Sequence, residues 1–186
     1  MTQFLATHEE LIRTYPSRKY LWSSYLPAAK GSVLTVGVSK PNCGEWDLLE
    51  DPLNYWSIDI DPAVKVFAHV QHHSTVDLFD YHPEKQFEHV IAFGMFGARN
   101  DRQDSDPHVD DAQVSRMICA LSALVKPRGY LLLGPELTGR SLETSKHESG
   151  DWLMRFSSEP TLTSEYTLNY ALQDRCNLIA VFHKRR

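Results

Sequence analysis

The feature that most constrains the fold is a pair of short, mostly apolar runs, each ending in a polar break. Val33 to Val38 is an apolar run rich in β-branched residues, broken only by Thr35 and Gly37 in polarity or size. Its length suits a strand buried on both faces. Ser39, Lys40, Pro41 and Asn42 then break it into a loop, and Glu45 to Leu49 allows a short helix. A second run, Tyr55 to Ile60, leads into Asp61 and Pro62. Strand, loop, short helix and a strand ending in an acid is how a doubly wound α/β sheet presents a nucleoside site. The loop covers the C-terminal edge of the first strand. The acid, Asp59, is placed to accept hydrogen bonds from two ribose hydroxyls.

The rest of the chain continues the alternation. Thr7-His8-Glu9-Glu10 has the form of a capping box before Leu11 and Ile12. Tyr20, Leu21, Trp22, Tyr25 and Leu26 form a second apolar helical face closed by Pro27. Asp61 and Pro62 read as N-cap and first residue of a helix. A third strand is expected over Ser74 to Val76, ending at Asp77, and a fourth over Phe87 to Phe93. Gly94 to Gly97 forms a loop, and a polar run extends from Arg99 to Asp111. Val114, Met117, Ile118, Leu121, Leu124 and Val125 then mark an amphipathic helix. Lys126-Pro127-Arg128-Gly129 turns the chain into a fifth strand, Tyr130 to Leu133. Asp151 to Phe156 allows a helix. Thr161 to Tyr170 and Asn177 to His183 read as a closing antiparallel pair of strands.

These segments resemble the class I S-adenosylmethionine-dependent methyltransferases. In that family the first strand reads apolar-apolar-Asp-apolar-Gly-x-Gly-x-Gly. Here it reads Val33-Leu34-Thr35-Val36-Gly37-Val38-Ser39-Lys40-Pro41. Gly37 matches the first glycine, while Thr35 replaces the acid, Ser39 the second glycine and Pro41 the third. Ser57-Ile58-Asp59-Ile60-Asp61-Pro62 is similar to the family's strand, acid and turn. Leu124 to Leu131 resembles its Leu-Lys-Pro-Gly-Gly turn. The resemblance runs from about Ser32 to His183. It implies a Rossmann-like, mostly parallel seven-stranded sheet with helices on both faces and an antiparallel last strand. The chain is then one domain, residues 1–186, with residues 1–31 as a helical preface and 32–186 as the core.

The resemblance also implies S-adenosylmethionine as cofactor and assigns its contacts. Gly37, Ser39, Asn42 and Gly44 would line the methionine half. Asp59 and Ile60 would meet the ribose. Asp77 and Leu78 would hold the adenine amino group and ring face, with Phe93 flanking the base and Phe79 a further candidate. Each has a plainer use: Asp59 as a loop cap, Asp77 as a turn former, the aromatic residues as core. Phe93-Gly94-Met95-Phe96 lacks the polar and proline residues that amino-methylating members carry after the fourth strand. Methylation of a base or amide nitrogen is therefore not supported, whereas O-methylation of a small molecule leaves no fixed motif there. His108 is the candidate general base, with Asp106 or Asp110 stabilising its imidazolium. The plainer reading of those acids is a solvated loop favouring the next helix dipole.

Composition excludes several classes. The net charge of −5 disfavours a nonspecific grip on nucleic acid. Cys43, Cys119 and Cys176 are far apart and odd in number, which makes neither a disulfide framework nor a zinc knuckle. A reducing, cytoplasmic compartment is expected, with no secretory signal and no apolar run of membrane-spanning length. His72-His73 and His147-Glu148 lack the spacing of a His-Glu-x-x-His metal site. Two functions follow: a methyltransferase acting on a small-molecule or sugar-like acceptor, or a non-catalytic descendant of the fold kept for binding or assembly. Thr35, Ser39 and Pro41 favour the second. An oxidoreductase is a distant third, because Gly-x-Gly-x-x-Gly is absent.

Overall fold

The computed structural model describes residues 31–37, 54–62, 72–93, 95–96, 110–134, 142–174 and 177–186. The described elements are seven strands, three α-helices and one 3-10 turn. They are β1 (Val33–Val36), β2 (Tyr55–Asp59), β3 (His72–Thr75), a 3-10 turn (Leu78–Asp80), β4 (Phe87–Phe93) and α1 (Asp111–Leu124). β5 (Val125–Gly134), α2 (Leu142–Ser158), α3 (Pro160–Glu165), β6 (Tyr166–Asp174) and β7 (Asn177–Lys184) complete them. The expected N-terminal helices, the helix over Glu45 to Leu49, the one after Pro62 and most of the polar run from Arg99 lie outside the described residues.

The seven strands form one sheet in the order β3-β2-β1-β4-β5-β7-β6. β1 pairs in parallel with β2 and β4, β2 with β3, and β4 with β5. β7 runs antiparallel to both β5 and β6, so the last strand is the reversed one. Strand order reverses between β1 and β4. That point is the crevice where open α/β sheets bind ligands.

The apolar runs follow from burial on both sides. Leu34, Val36, Ile58, Val90, Ala92, Leu131, Leu133, Ala180 and Phe182 join one core with Val114, Ile118 and Leu121 of α1, Phe156 of α2 and Leu162 of α3. The alternate residues on the other face, Val33, Thr35, Tyr55, Ser57, His89, Ile91, Leu132, Ile179 and Val181, are also buried. Continuous apolar runs are what two-sided burial requires.

Three boundaries differ from the sequence reading. The helix before β5 stops at Leu124 and the strand starts at once. The expected turn at Lys126–Gly129 is instead an irregularity inside β5, with Phe87 opposite Val125 but His89 opposite Tyr130. Arg128 takes a left-handed conformation there, at φ 62. Thr161 to Glu165 is helix rather than strand, because Glu159 accepts a hydrogen bond from the Leu162 N–H at 2.9 Å and Pro160 opens the first turn. β3 covers His72–Thr75 rather than Ser74 to Val76, since Asp77 caps the following 3-10 turn.

Two polar clusters hold the N-terminal edge of the parallel strands. Glu88 accepts hydrogen bonds from the Ser32 N–H at 2.7 Å, from the Ser32 hydroxyl and from Lys126. Burial alone would raise its carboxyl, but these donors outweigh burial and hold it at about 2. The Tyr166 hydroxyl donates to Ser122 Oγ at 2.9 Å, which donates to Glu165 at 2.8 Å. Lys184 donates to the Ser122 carbonyl at 2.8 Å, which also accepts the Val125 N–H at the end of α1.

Candidate functional site

A cavity of about 240 Å³ opens at the C-terminal edge of the sheet. Val36 and Gly37 enter it from the end of β1, and Ile58, Asp59 and Ile60 from the end of β2. Val76, Asp77, Leu78 and Phe79 follow β3, Met95 follows β4, and Gln113 and Met117 come from α1. The register brings these ends together. Val36 lies opposite Ile58 and Ala92. The Gly37 N–H donates to the Ile58 carbonyl at 3.1 Å and the Val76 N–H to the Asp59 carbonyl at 2.9 Å. Gly37 has φ 71, a left-handed conformation that glycine adopts without steric cost.

Asp59 ends β2 and its Oδ1 accepts the Asp61 N–H at 2.8 Å. That bond uses one of roughly four acceptor positions on the carboxylate. Burial pushes the Asp59 carboxyl above the ordinary carboxylate range, and Asp61 adds to the rise. The bonded Asp61 N–H and the charge of His73 pull against it. Asp77 Oδ1 accepts the Phe79 N–H at 2.8 Å, so Asp77 does form a turn while also facing the cavity. Leu78 is buried and belongs to the core as well as to the wall. Phe79 carries the Arg116 guanidinium 4.2 Å from its ring centroid. Ile60 is 70% exposed, an unusual state for its type.

Gly37, Asp59, Ile60, Asp77 and Leu78 are thus brought into one cavity. Phe93 is the last residue of β4, opposite Gly134. Ser39, Asn42, Gly44, Asp106 and His108 lie outside the described residues. Thr35 is buried and accepts the Tyr55 hydroxyl at 2.6 Å on the other face of the sheet. Sequence reasoning missed Gln113, Met117 and Met95 as wall residues. Met117 carried only a core signal, from its helical spacing. Gln113 precedes it by four residues, which places both on one side of α1. Gln113 itself had no sequence signal.

The result is an apolar slot with two carboxylates at adjacent strand ends. It suits a ligand with a flat apolar part and a few hydroxyl or amino donors. Among the described residues no group of His, Cys, Asp or Glu is arranged to hold a metal ion. No helix of the described residues is long and apolar enough to cross a membrane.

No protein-family model matches the sequence. No curated protein matches it either. Solved structures do match the fold. The chain is similar to the N-methyltransferase NodS from Bradyrhizobium japonicum WM9, crystallised with S-adenosyl-l-homocysteine. That match has a TM-score of 0.60 and 15% identity, over 95% of this chain and 88% of the other. An S-adenosylmethionine-dependent methyltransferase from Clostridium acetobutylicum ATCC 824 matches at TM-score 0.59 and 8% identity, over 96% of each chain. The 16S rRNA methylase RmtB matches at TM-score 0.56 and 14% identity, over 89% of this chain and 61% of the other. With its seven strands in this order and its last strand reversed, the chain has the class I S-adenosylmethionine-dependent methyltransferase fold.

Proposed function

We propose that the cavity binds S-adenosylmethionine and that the chain transfers its methyl group to a small-molecule or sugar-like acceptor. One observation carries the reading. Asp59 and Asp77, at neighbouring strand ends, open into one apolar cavity beside Gly37. The donor set fits the group. Ionised Asp59 would accept the two ribose hydroxyls, and Asp77 the adenine amino group. Val36, Ile58, Ile60, Leu78 and Met117 offer apolar surface to the nucleoside, and Phe93 would flank the base, as the resemblance implies. Gly37 would let the backbone approach the methionine half, and Ser39, Asn42 and Gly44 would line the remainder.

Bound there, S-adenosylmethionine supplies an electrophilic methyl group on its sulfonium for in-line transfer. The residues of this chain would contribute chiefly by holding the acceptor in line. His108, with Asp106 stabilising its imidazolium, would take the acceptor's proton. The net charge of −5 favours a small acceptor over nucleic acid. Since RmtB, which shares the fold, is a 16S rRNA methylase, an acceptor screen should include RNA beside sugars and alcohols.

A non-catalytic binding module is the second reading. The observation favouring it is Thr35, which replaces the family's acid and is engaged by Tyr55 rather than by the cavity. Calorimetric titration with S-adenosylmethionine and S-adenosylhomocysteine, followed by radiolabelled methyl transfer, separates the two. Binding with transfer establishes the enzyme, and binding without transfer the module. No binding of either ligand rejects the site.

A further inference from the structure

We infer that Gln113 is a specificity-determining residue of the proposed nucleoside site, where its carboxamide pairs with the amino edge of a 6-aminopurine. The inference rests on the nucleoside reading of the cavity given above. Among the described residues that line the cavity, only Asp59, Asp77 and Gln113 have polar side chains. An ionised carboxylate only accepts hydrogen bonds, whereas a carboxamide both donates and accepts. Gln113 is therefore the one lining side chain that can donate to a ligand. A 6-aminopurine needs both functions side by side. Its amino group donates, and the ring nitrogens on either side of that group, N1 and N7, accept. A carboxamide meets such an edge with two hydrogen bonds at once.

Two observations turn this side of α1 toward the segment that carries Asp77. Gln113 and Met117 line the cavity together with Asp77, Leu78 and Phe79. Arg116, between them on the same side of the helix, holds its guanidinium 4.2 Å from the Phe79 ring centroid. Leu78 and Met117 also belong to one core. The start of α1 is fixed from outside the cavity. Asp110 accepts the Gln113 N–H at 2.7 Å, and Asp111 pairs with Arg155 of α2. The backbone of Gln113 is thus set, while its side chain is exposed and no hydrogen bond among the described residues engages its carboxamide. Asp77 is complementary. Its Oδ1 accepts the Phe79 N–H at 2.8 Å, which leaves acceptor positions on the carboxylate for a ligand.

The two groups divide the amino edge between them. One amino hydrogen goes to Asp77 and the other to Gln113 Oε1, while Gln113 Nε2 donates to the adjacent ring nitrogen. A 6-oxopurine breaks this pattern. Its carbonyl sets an acceptor against the acceptors of Asp77 and Gln113. Turning the carboxamide over satisfies the carbonyl but then sets Oε1 against the ring nitrogen. Arg116 is not part of the lining, and its guanidinium lies on Phe79, so it does not replace the Gln113 donor. Polar groups left unpaired in this way are what lets a site reject a close analogue.

The test is calorimetry on the full chain with S-adenosylhomocysteine, S-inosylhomocysteine and the 1-deaza and 7-deaza analogues of S-adenosylhomocysteine. The wild type should bind S-adenosylhomocysteine about 5–150-fold tighter than S-inosylhomocysteine, the span for one two-bond contact. It should also prefer it several-fold over one of the two deaza analogues, the one lacking the nitrogen that Gln113 meets. Gln113→Leu removes both groups from an exposed position. It should lose S-adenosylhomocysteine affinity by a similar factor and lose the preference over that deaza analogue. Gln113→Glu keeps the length and an accepting oxygen and removes the donor. A carboxylate suits the first turn of a helix, so this variant should melt like wild type and again show no deaza preference. Loss of the preference in both variants supports the proposal, because a merely structural change weakens all four ligands alike. A wild type indifferent to both deaza analogues, or a preference undiminished in Gln113→Leu, overturns the inference and leaves the nucleoside site standing. No binding of S-adenosylhomocysteine by the wild type rejects the nucleoside site, and the inference with it.

Discussion

Asp59 serves two purposes that pull against each other. It closes the turn to Asp61 by accepting the Asp61 N–H, the plainer use of a loop cap. It also sits half-buried at the cavity with its carboxyl raised, first by burial. A carboxyl that is raised in the folded state binds its proton more tightly there than in the unfolded chain. Asp59 therefore opposes folding above its titration range, and the opposition fades as pH falls through the raised value. Asp59→Asn keeps an acceptor for the Asp61 N–H and loses the charge. The ligand-free variant should melt no lower than wild type at pH 7, and any gain should shrink toward pH 4. S-adenosylhomocysteine binding should weaken by about 1–3 kcal/mol, the scale for hydrogen bonds to a charged group. Paired thermal melts and calorimetry check both, and unchanged affinity would remove Asp59 from the site.

Among the elements, the junction of β1, β4 and β5 is fixed by Glu88. Its carboxyl is held at about 2 against an ordinary 4.5. A depressed carboxyl contributes stability that is complete above the unfolded value and disappears as pH falls through the folded one. Glu88→Gln should thus cost about 1 kcal/mol at pH 7, a figure limited by the partial exposure of the pair. The difference from wild type should vanish between about pH 4.5 and pH 2. Gly129 belongs to the same junction: a Cβ there would meet the Glu88 carbonyl oxygen at 2.7 Å and the Lys126 carbonyl oxygen at 2.9 Å. Backbone atoms cannot yield, so Gly129→Ala should cost about 1–3 kcal/mol in chemical denaturation. This junction also marks how far the sequence could be read. β4 was legible to the residue, since Phe87 to Phe93 is a short, mostly apolar run between Gln86 and Gly94. α1 was legible from its stripe. The alternation of Thr161, Leu162 and Thr163 imitates a strand, and only the Glu159-Pro160 cap reveals the helix. Strand-end groups such as Gly37, Asp59 and Asp77 were legible because chain order puts them at the crevice. Met95 and Gln113 were not, because which side of a helix meets a strand end is decided by packing.

At the scale of the whole molecule, the sheet order puts one connection in a position unlike the others. β4 borders the reversal of strand order, and the segment after it runs from Met95 to α1. Met95 and Gln113 both line the cavity, so the segment leaves and returns beside the same opening. Both ends are anchored independently of what lies between. Phe96 is buried, with ring centroids 5.4 Å from Phe156 and 5.9 Å from Trp152. Asp110 caps α1, accepting the Gln113 N–H at 2.7 Å. The segment carries His108 and Asp106, the proposed base and its partner. Connections of this length between packed elements are commonly functional. Replacing residues 99–109 with a Gly-Ser linker should therefore leave the fold and S-adenosylhomocysteine affinity nearly intact while abolishing methyl transfer. His108→Ala alone should lower transfer by about 10²–10⁴-fold, the usual contribution of a general base. Calorimetry and radiolabelled transfer on the same preparations separate the two effects. Lost cofactor affinity in the linker variant would make the segment part of the cofactor site. Undiminished transfer would exclude His108 and leave positioning as the whole of the chemistry.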